Sequence, residues 1–487
     1  MRFAAERGFG QSRLIHINQT DTMSGVTRRR FLASAAAAAA TPALGAVPSS
    51  GDVDVIIIGA GAAGIAAARR VAQAGRRFAL IEAADRIGGR CITDARSFGV
   101  PFDRGARFIY LPESNPVAQL APRTGLEIYP AARGQKPRVG RRNARDGEIE
   151  TFLAARFRAR RAIVEAGRGK ADVAAERALP KDLLDWQPTI EFVLGPYGCG
   201  KDLREVSAAD IARATERDSA AFCRQGFGAL LAKLGEGVPV QLNTAATRIE
   251  WLKSLEVETT RGRLRARAVI VTASPSVLAA GKIAFTPELP ERQRDALNRL
   301  KLGTYEHIAV ELPGNPLGLG KDELVFEKTD GAHTAALIAN IGGTSLCTVD
   351  VAGGFGRELT QQGPDAMAAF AGDWLASLFG EQIKSAIRRT QVTQWNSAPW
   401  TLGAFAAASP GDDAHKVLMD PIRERVWFAG DAAHETLWGT VGGAWESGVR
   451  AAEAALRKMG ALKDTEPQAS APPPRHRRRR RELEQPE

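Results

Sequence analysis

Glycines and an acid near residue 60 have the spacing of a dinucleotide-binding turn. The apolar run 53–58 predicts a buried parallel strand, and Gly-Ala-Gly-Ala-Ala-Gly follows at once at residues 59–64. A helical pattern over 65–74, a second apolar run over 77–81 and then Glu82 complete the unit. Backbone N–H groups and the helix N-terminus would hold a pyrophosphate, while the acid accepts both ribose hydroxyls. A carboxylate here repels a 2′-phosphate, so NADP is not expected.

Each glycine has its own task in such a turn. Gly59 permits the tight turn, Gly61 lets the backbone approach the pyrophosphate, and Gly64 lets helix and strand pack closely. The elements that must position these residues are therefore a strand before the turn and a helix after it.

The residues after the acid form further recognisable segments. Glu-Ala-Ala-Asp-Arg-Ile-Gly-Gly-Arg at 82–90 resembles a segment of the flavin-containing amine oxidase family, and so does Asp-Arg-Gly-Ala-Arg-Phe at 103–108. This resemblance implies FAD rather than NAD. A second match lies near the other end of the chain. There the strand-like run 426–428 leads to Ala-Gly-Asp at 429–431, and a glycine-rich segment at 439–448 opens a helix. The resemblance covers roughly residues 52–460 and includes a middle segment near Ala246.

This resemblance implies which residues contact FAD. In the family, the acid after Ala-Gly contacts the ribityl chain, the backbone near Ala246 touches adenine, and Arg90 supplies a cation to the diphosphate. The implied contacts are Gly59, Gly61, Ala62, Ala63, Gly64, Glu82, Ala83, Arg86, Gly89, Arg90, Arg107, Phe108, Ala246, Gly430, Asp431, Thr440, Val441 and Ala444. Ala404 stands where covalently flavinylated members carry Cys, so the FAD is expected to be non-covalent.

The positions that surround the flavin ring in the family carry unusual residues here. By offset, Phe405 and Thr440 fall where many members have two tyrosines that enclose the substrate. His307 falls where many have a lysine that holds a water against flavin N5. A histidine can hold a water and shuttle protons near pH 7, although a histidine on a strand is also a common structural residue. The tryptophans that could form substrate walls are Trp395, Trp400 and Trp438, with core packing as the alternative.

The order of motifs predicts an α/β fold. It consists of a Rossmann-like FAD-binding domain of the glutathione-reductase type, interleaved with an α+β substrate domain that has a mixed sheet. Because the two FAD motifs lie far apart in the chain, the FAD-binding domain must be assembled from 52–130, 225–285 and 405–460. The substrate domain then comprises 131–224 and 286–404.

Composition excludes several classes of protein. The 487 residues carry a net charge of +11, but the excess is concentrated in 131–170, which disfavours nucleic-acid binding. The sequence shows no run of about 18 strongly apolar residues, so an integral membrane protein is not expected. The four cysteines lack the C-x-x-C spacing of a zinc site, so no metal is expected.

The two ends of the chain are predicted to lie outside the fold. Arg28 and Arg29, followed by Phe31 and Leu32 and a short apolar run, resemble a twin-arginine signal over 1–46. This predicts export to the periplasm by the twin-arginine translocase. The Pro/Arg-rich segment 464–487 is expected to be a disordered tail.

The resemblance implies an FAD-dependent oxidoreductase that acts on the C–N bond of a small amine. A hydride passes from the carbon beside the nitrogen to flavin N5, and O2 (giving H2O2) or a periplasmic acceptor takes the electrons. One alternative is an L-amino-acid oxidase or tryptophan 2-monooxygenase-like enzyme, in which Arg107 is a candidate partner for the carboxylate of an amino-acid substrate. Others are a C–C desaturase of the same fold and a flavoprotein that binds FAD without turnover.

Overall fold

The structure, a computed structural model, describes residues 53–132 and 136–462. The signal predicted for 1–46 and the tail predicted for 464–487 lie outside the described residues. Within the described ranges, every helix is too short or too polar to cross a membrane.

The strands run through the whole described chain. They are β1 (Val53–Ile58), β2 (Phe78–Ile81), β3 (Thr93–Asp94), β4 (Phe102–Asp103), β5 (Ile109–Tyr110), β6 (Ile128–Pro130), β7 (Lys136–Val139), β8 (Arg142–Asn143), β9 (Ala220–Cys223), β10 (Val240–Gln241), β11 (Ala246–Glu250), β12 (Glu256–Thr259), β13 (Gly262–Val271), β14 (Ala284–Thr286), β15 (Tyr305–Glu311), β16 (Glu323–Glu327), β17 (Ala336–Ala339), β18 (Leu346–Ala352), β19 (Arg389–Val392) and β20 (Val426–Phe428).

Helices alternate with these strands. The α-helices are α1 (Ala62–Gln73), α2 (Pro116–Leu120), α3 (Asp146–Gly167), α4 (Gln187–Leu194), α5 (Pro196–Cys199), α6 (Ala208–Arg213), α7 (Phe227–Gly235), α8 (Pro275–Ala279), α9 (Glu291–Arg299), α10 (Gly353–Gln362), α11 (Pro364–Phe379), α12 (Gln382–Ala386), α13 (Ala414–Met419) and α14 (Val441–Lys458). Short 3₁₀ helices lie at Ala121–Thr124, Ala175–Ala178, Leu184–Trp186, Leu203–Glu205 and Ile341–Gly343.

The first large sheet has eight strands, and its centre is parallel. Strand β1 pairs in parallel with β2 on one side and with β13 on the other, and β20 pairs in parallel with the end of β13. The beginning of β13 runs antiparallel to β12, which continues the sheet to β11 and β14. The parallel strands end at the same edge, where ligands bind in sheets of this kind.

Strand β1 is buried on both faces, which explains its nearly continuous apolar sequence. Val55 and Ile57 pack beneath helices α1 and α14, while Ile56 and Ile58 enter a separate core on the opposite face. Burying each such side chain contributes about 1.5–3 kcal/mol, so β1 is held firmly at the centre of the sheet.

The second large sheet has seven strands in the order β19–β15–β18–β17–β16–β7–β8. Neighbouring strands in this sheet are antiparallel, except that β16 and β7 are parallel. Met367 and Trp374 of α11 cover one face, and Phe152 of α3 covers the other. Because side chains alternate along a strand, β15 presents Tyr305 and His307 on one face and Glu306 on the other.

The predicted α/β class and the mixed second sheet are confirmed. The helix expected at 65–74 begins earlier, at Ala62, because the last residues of the glycine turn already form its first turn. The first sheet draws its strands from 53–81, 240–286 and 426–428, and the second from 136–143 and 305–392. The exact division into two domains stays a prediction.

Candidate flavin and substrate site

One cavity of about 640 Å³ begins at the ends of the central strands β1 and β2 and continues to strand β15. Segments that are far apart in the chain, between residues 58 and 444, contribute to its wall. It therefore has two ends with different chemistry: a glycine-rich end next to Glu82 and a tyrosine-lined end next to Tyr305.

The glycine-rich end is shaped for close contact with a ligand backbone. Gly59 has a φ of +102°, which only glycine adopts without strain. A Cβ on Gly64 would lie 1.8 Å from the carbonyl oxygen of Gly59, so this glycine lets α1 approach the turn. No side chain caps the N-terminus of α1 at Gly61, and its first turn holds no acid. These free N–H groups and the helix dipole suit the diphosphate of a dinucleotide.

Glu82 lines the cavity at the end of β2. Its carboxylate accepts hydrogen bonds from the backbone N–H groups of Ala60 (2.6 Å) and Ala84 (2.9 Å). These contacts orient the carboxylate across the turn. The remaining acceptor capacity of its two oxygens suits ribose hydroxyls.

An ion pair joins the two distant glycine-rich segments. Arg90 Nη2 lies 2.6 Å from Asp431 Oδ1, and Arg90 Nη1 also donates to the carbonyl oxygen of Ala404 at 2.8 Å. Asp431 Oδ2 accepts a further hydrogen bond from the N–H of Ala406 (2.9 Å). The cation and acid that were predicted to contact separate parts of the cofactor are thus direct partners.

The other end of the cavity is lined by aromatic rings. The ring centroid of Tyr305 lies 5.8 Å from that of Phe405 and 5.9 Å from that of Tyr197. Tyr110 lines the same cavity. Burial raises the pKa of all three tyrosine hydroxyls, so they stay neutral.

His307 belongs to a buried polar cluster beside these rings. Its Nδ1 lies 2.7 Å from Asp350 Oδ1 and 2.5 Å from Arg107 Nη2, and its Nε2 lies 3.0 Å from the carbonyl oxygen of Gly105. Tyr305 donates to the second carboxylate oxygen of Asp350. Burial alone would raise the pKa of Asp350, but Arg107 and His307 outweigh it, and this pKa is lowered. Asp350 is therefore an ionised partner for Arg107.

Comparison with known proteins agrees with this arrangement. Residues 62–456 match the family described as flavin containing amine oxidoreductase. The chain belongs to this family.

Relatives of this chain include human lysine-specific histone demethylase 2, with 29% identity over 82% of the chain and 53% of the relative. The chain thus spans about half the length of this relative. Probable polyamine oxidase 4 from Arabidopsis thaliana is 25% identical over 82% of the chain and 86% of the relative. Cyclohexylamine oxidase from Brevibacterium oxydans IH-35A has a similar fold, with a TM-score of 0.71, 24% identity, and coverage of 84% of this chain and 100% of that one.

The cavity brings together most of the residues that the sequence assigned to the cofactor. Gly64 alone of that set lies outside the lining, and it lets α1 pack closely against the turn. Of the residues assigned to catalysis or to substrate walls, the lining includes His307, Phe405, Thr440, Trp395 and Trp400. Their contacts with cofactor and substrate stay predictions.

Trp438 lies outside the cavity lining. Its indole is buried and stacks on His415, with ring centroids 6.1 Å apart and planes 12° apart. It therefore supports the wall from behind rather than forming its surface.

Both ring nitrogens of His307 already have protein partners. This arrangement argues against the water-holding role predicted for His307, which stays a prediction.

Sequence reasoning missed several lining residues. Three of the four tyrosines of the chain, Tyr110, Tyr197 and Tyr305, line the cavity, although none falls at the two positions expected from the family. Arg217 also lines it and was not singled out. The scarcity of tyrosine was the available signal, but offsets from the family motifs did not reveal where these residues meet.

Proposed function

We propose that this chain oxidises the C–N bond of a small amine with FAD as a non-covalent cofactor. The continuity of one cavity is the observation that supports this most directly. Its glycine-rich end, with the uncapped α1 and Glu82, suits a dinucleotide, and its tyrosine-lined end suits a small substrate.

The uncapped N-terminus of α1 and Glu82 would hold the FAD, which would supply hydride acceptance from the carbon beside a neutral nitrogen, while water would take the nitrogen's proton and O2 (giving H2O2) or another acceptor would take the two electrons. The chain's own residues orient the substrate and exclude water. Rings such as Tyr197, Tyr305 and Phe405 present apolar faces, which favour the neutral amine over the ammonium ion. Trp395 is held in place by a hydrogen bond from its indole N–H to the carbonyl oxygen of Arg104 (2.7 Å).

Anaerobic titration of the purified flavoprotein tests this function. A panel of amines and amino acids is added, and the visible flavin band is followed, while the released flavin is identified by mass. We expect at least one amine or amino acid to bleach the band, and we expect the flavin to be FAD. Bleaching only by a polyene or a tetrapyrrole would support a C–C desaturase, and no bleaching at all would support a structural flavin.

We also propose export to the periplasm by the twin-arginine route, supported by the sequence around Arg28 and Arg29. Replacing both arginines with lysine should leave folded, flavin-loaded precursor in the cytoplasm. Normal appearance of the double variant in the periplasm would refute this proposal.

A further inference from the structure

Arg217 follows helix α6 and lines the tyrosine-lined end of the cavity. Its Nη2 donates to the carbonyl oxygen of Trp438 at 2.5 Å. The guanidinium carbon lies 4.9 Å from the ring centroid of Trp438 and 5.3 Å from that of Tyr110. A backbone oxygen and two ring faces thus fix the position of this cation.

The charge of Arg217 is not neutralised by a carboxylate within the described residues, because no Asp or Glu of residues 53–132 and 136–462 forms an ion pair with it. Arg107, the arginine that the sequence suggested for this task, differs. It pairs with Asp350 at 3.3 Å and contacts His307, and it is 5% exposed. Arg107 is therefore committed to the buried cluster, while the guanidinium of Arg217 makes one hydrogen bond within the described residues, to Trp438, which leaves most of its five N–H donors for a ligand.

The carboxylates that line the cavity lie at its other end, and Asp350, which accepts a hydrogen bond from Tyr305 behind the wall, is paired with Arg107. Among the described lining residues they are Glu82, Asp85 and Asp431, all in the glycine-rich segments. Beside Arg217 the wall consists instead of rings such as Tyr110 and Tyr197. A second ammonium group on a substrate would meet a fixed positive charge there, with no carboxylate among the described lining residues at this end to compensate it.

We propose that Arg217 binds a carboxylate of the substrate, so that the enzyme oxidises an amino acid in preference to a simple amine or a diamine. This inference rests on the proposed amine oxidation and names its substrate class. The guanidinium fork matches a carboxylate with two parallel hydrogen bonds, and the aromatic wall suits an aromatic side chain.

The reductive half-reaction of the holoenzyme tests the inference with a matched pair, L-phenylalanine and 2-phenylethylamine, which differ only by the carboxylate. Stopped-flow traces give the dissociation constant and the limiting rate for each. We expect the wild type to prefer the amino acid and to bind putrescine weakly. In Arg217→Gln, the preference ratio should fall roughly 10- to 100-fold, and Arg217→Lys should recover part of it. Arg204→Gln, which removes an exposed arginine paired with Asp202, is the control and should keep the ratio.

A ratio that Arg217→Gln leaves unchanged, in protein with normal FAD content, would overturn the inference and leave amine oxidation standing. If no amine or amino acid bleaches the flavin, the proposed function fails, and binding of benzoate is measured from the flavin spectrum. Benzoate binding that exceeds benzamide binding and is lost in Arg217→Gln would still support the anion site. Equal binding of the two ligands would overturn it.

Discussion

Arg90 and Asp431 form an ion pair with two contacts, 2.6 Å and 3.2 Å, across 341 residues of sequence. The pair ties the first glycine-rich segment to the last one. Asp431 is 5% exposed, so its charge depends on this partner rather than on water.

Asp431→Asn should therefore weaken both the fold and cofactor retention. The substitution keeps the shape but removes the charge, which leaves Arg90 poorly paired. We expect a loss of about 1–3 kcal/mol, seen as a lower urea midpoint of the apoprotein. Asp420→Asn is a matched control, because it breaks the exposed Arg292–Asp420 pair and should cost under about 1 kcal/mol. Equal losses in the two variants would contradict the role of the pair.

Glu82→Ala should weaken FAD binding more than it weakens the fold. Removal of the carboxylate takes away the acceptor for ribose hydroxyls, which contributes about 1.5–3 kcal/mol. It also leaves the N–H groups of Ala60 and Ala84 without their partner, so a smaller loss of stability is expected. Glu82→Gln keeps one acceptor oxygen, so its affinity for FAD should lie between those of the wild type and Glu82→Ala. Flavin titration of the apoproteins measures this order, and full FAD retention at nanomolar Glu82→Ala would show that the ribose assignment is wrong.

His307→Ala should slow flavin reduction and reoxidation to a similar degree. The ring fills a buried place between Asp350 and Gly105, and both nitrogens are used there. Loss of the ring would disturb the whole tyrosine-lined end of the cavity, rather than only the supply of a proton during reoxidation. Asp350→Asn should show the same pattern, since it acts through the same cluster. Stopped-flow measurement of both half-reactions checks this, and a loss of about 10- to 100-fold in reoxidation alone would favour the water-holding role instead.

All of the yellow colour should leave the protein on acid precipitation. Ala404 occupies the position where covalently flavinylated relatives carry Cys. Cys91 lines the cavity, but burial raises the pKa of its thiol well above the ordinary range, so it stays protonated and unreactive. Colour in the pellet would show a covalent bond, and Cys91→Ser would then identify whether Cys91 forms it.

Stability should fall as pH rises toward 7 because of Glu306. Burial raises the pKa of Glu306 to about 7, although Thr393 and the N–H of Asn396 pull it down. An acid whose pKa is higher in the folded state stabilises the fold below its unfolded pKa of about 4.3 and loses this contribution as pH rises to 7. The difference in unfolding free energy between Glu306→Gln and the wild type should therefore change between pH 4.5 and pH 8. The change should favour the variant by about 3 kcal/mol at pH 8. Parallel urea curves at the two pH values test this, and a pH-independent difference would refute it.

The local chemistry of the dinucleotide turn was readable from the sequence. A strand, a glycine turn and a helix are set by neighbouring residues, so the positions of Gly59 and Glu82 followed from spacing alone. The family resemblance then located Arg90, Asp431 and Phe405 at one cavity, because motifs at both ends of the chain could be matched separately.

The partners of these residues could not be predicted in the same way. Arg90 with Asp431, His307 with Gly105 and Asp350, and Arg217 with Trp438 all join segments that are far apart in the chain. The sequence by itself determined the dinucleotide turn, the α/β class and the family, since these depend on short-range spacing. Only the tertiary structure decided which charges are paired and which remain available, because ion pairing depends on distances of a few ångströms between segments that the sheets bring together.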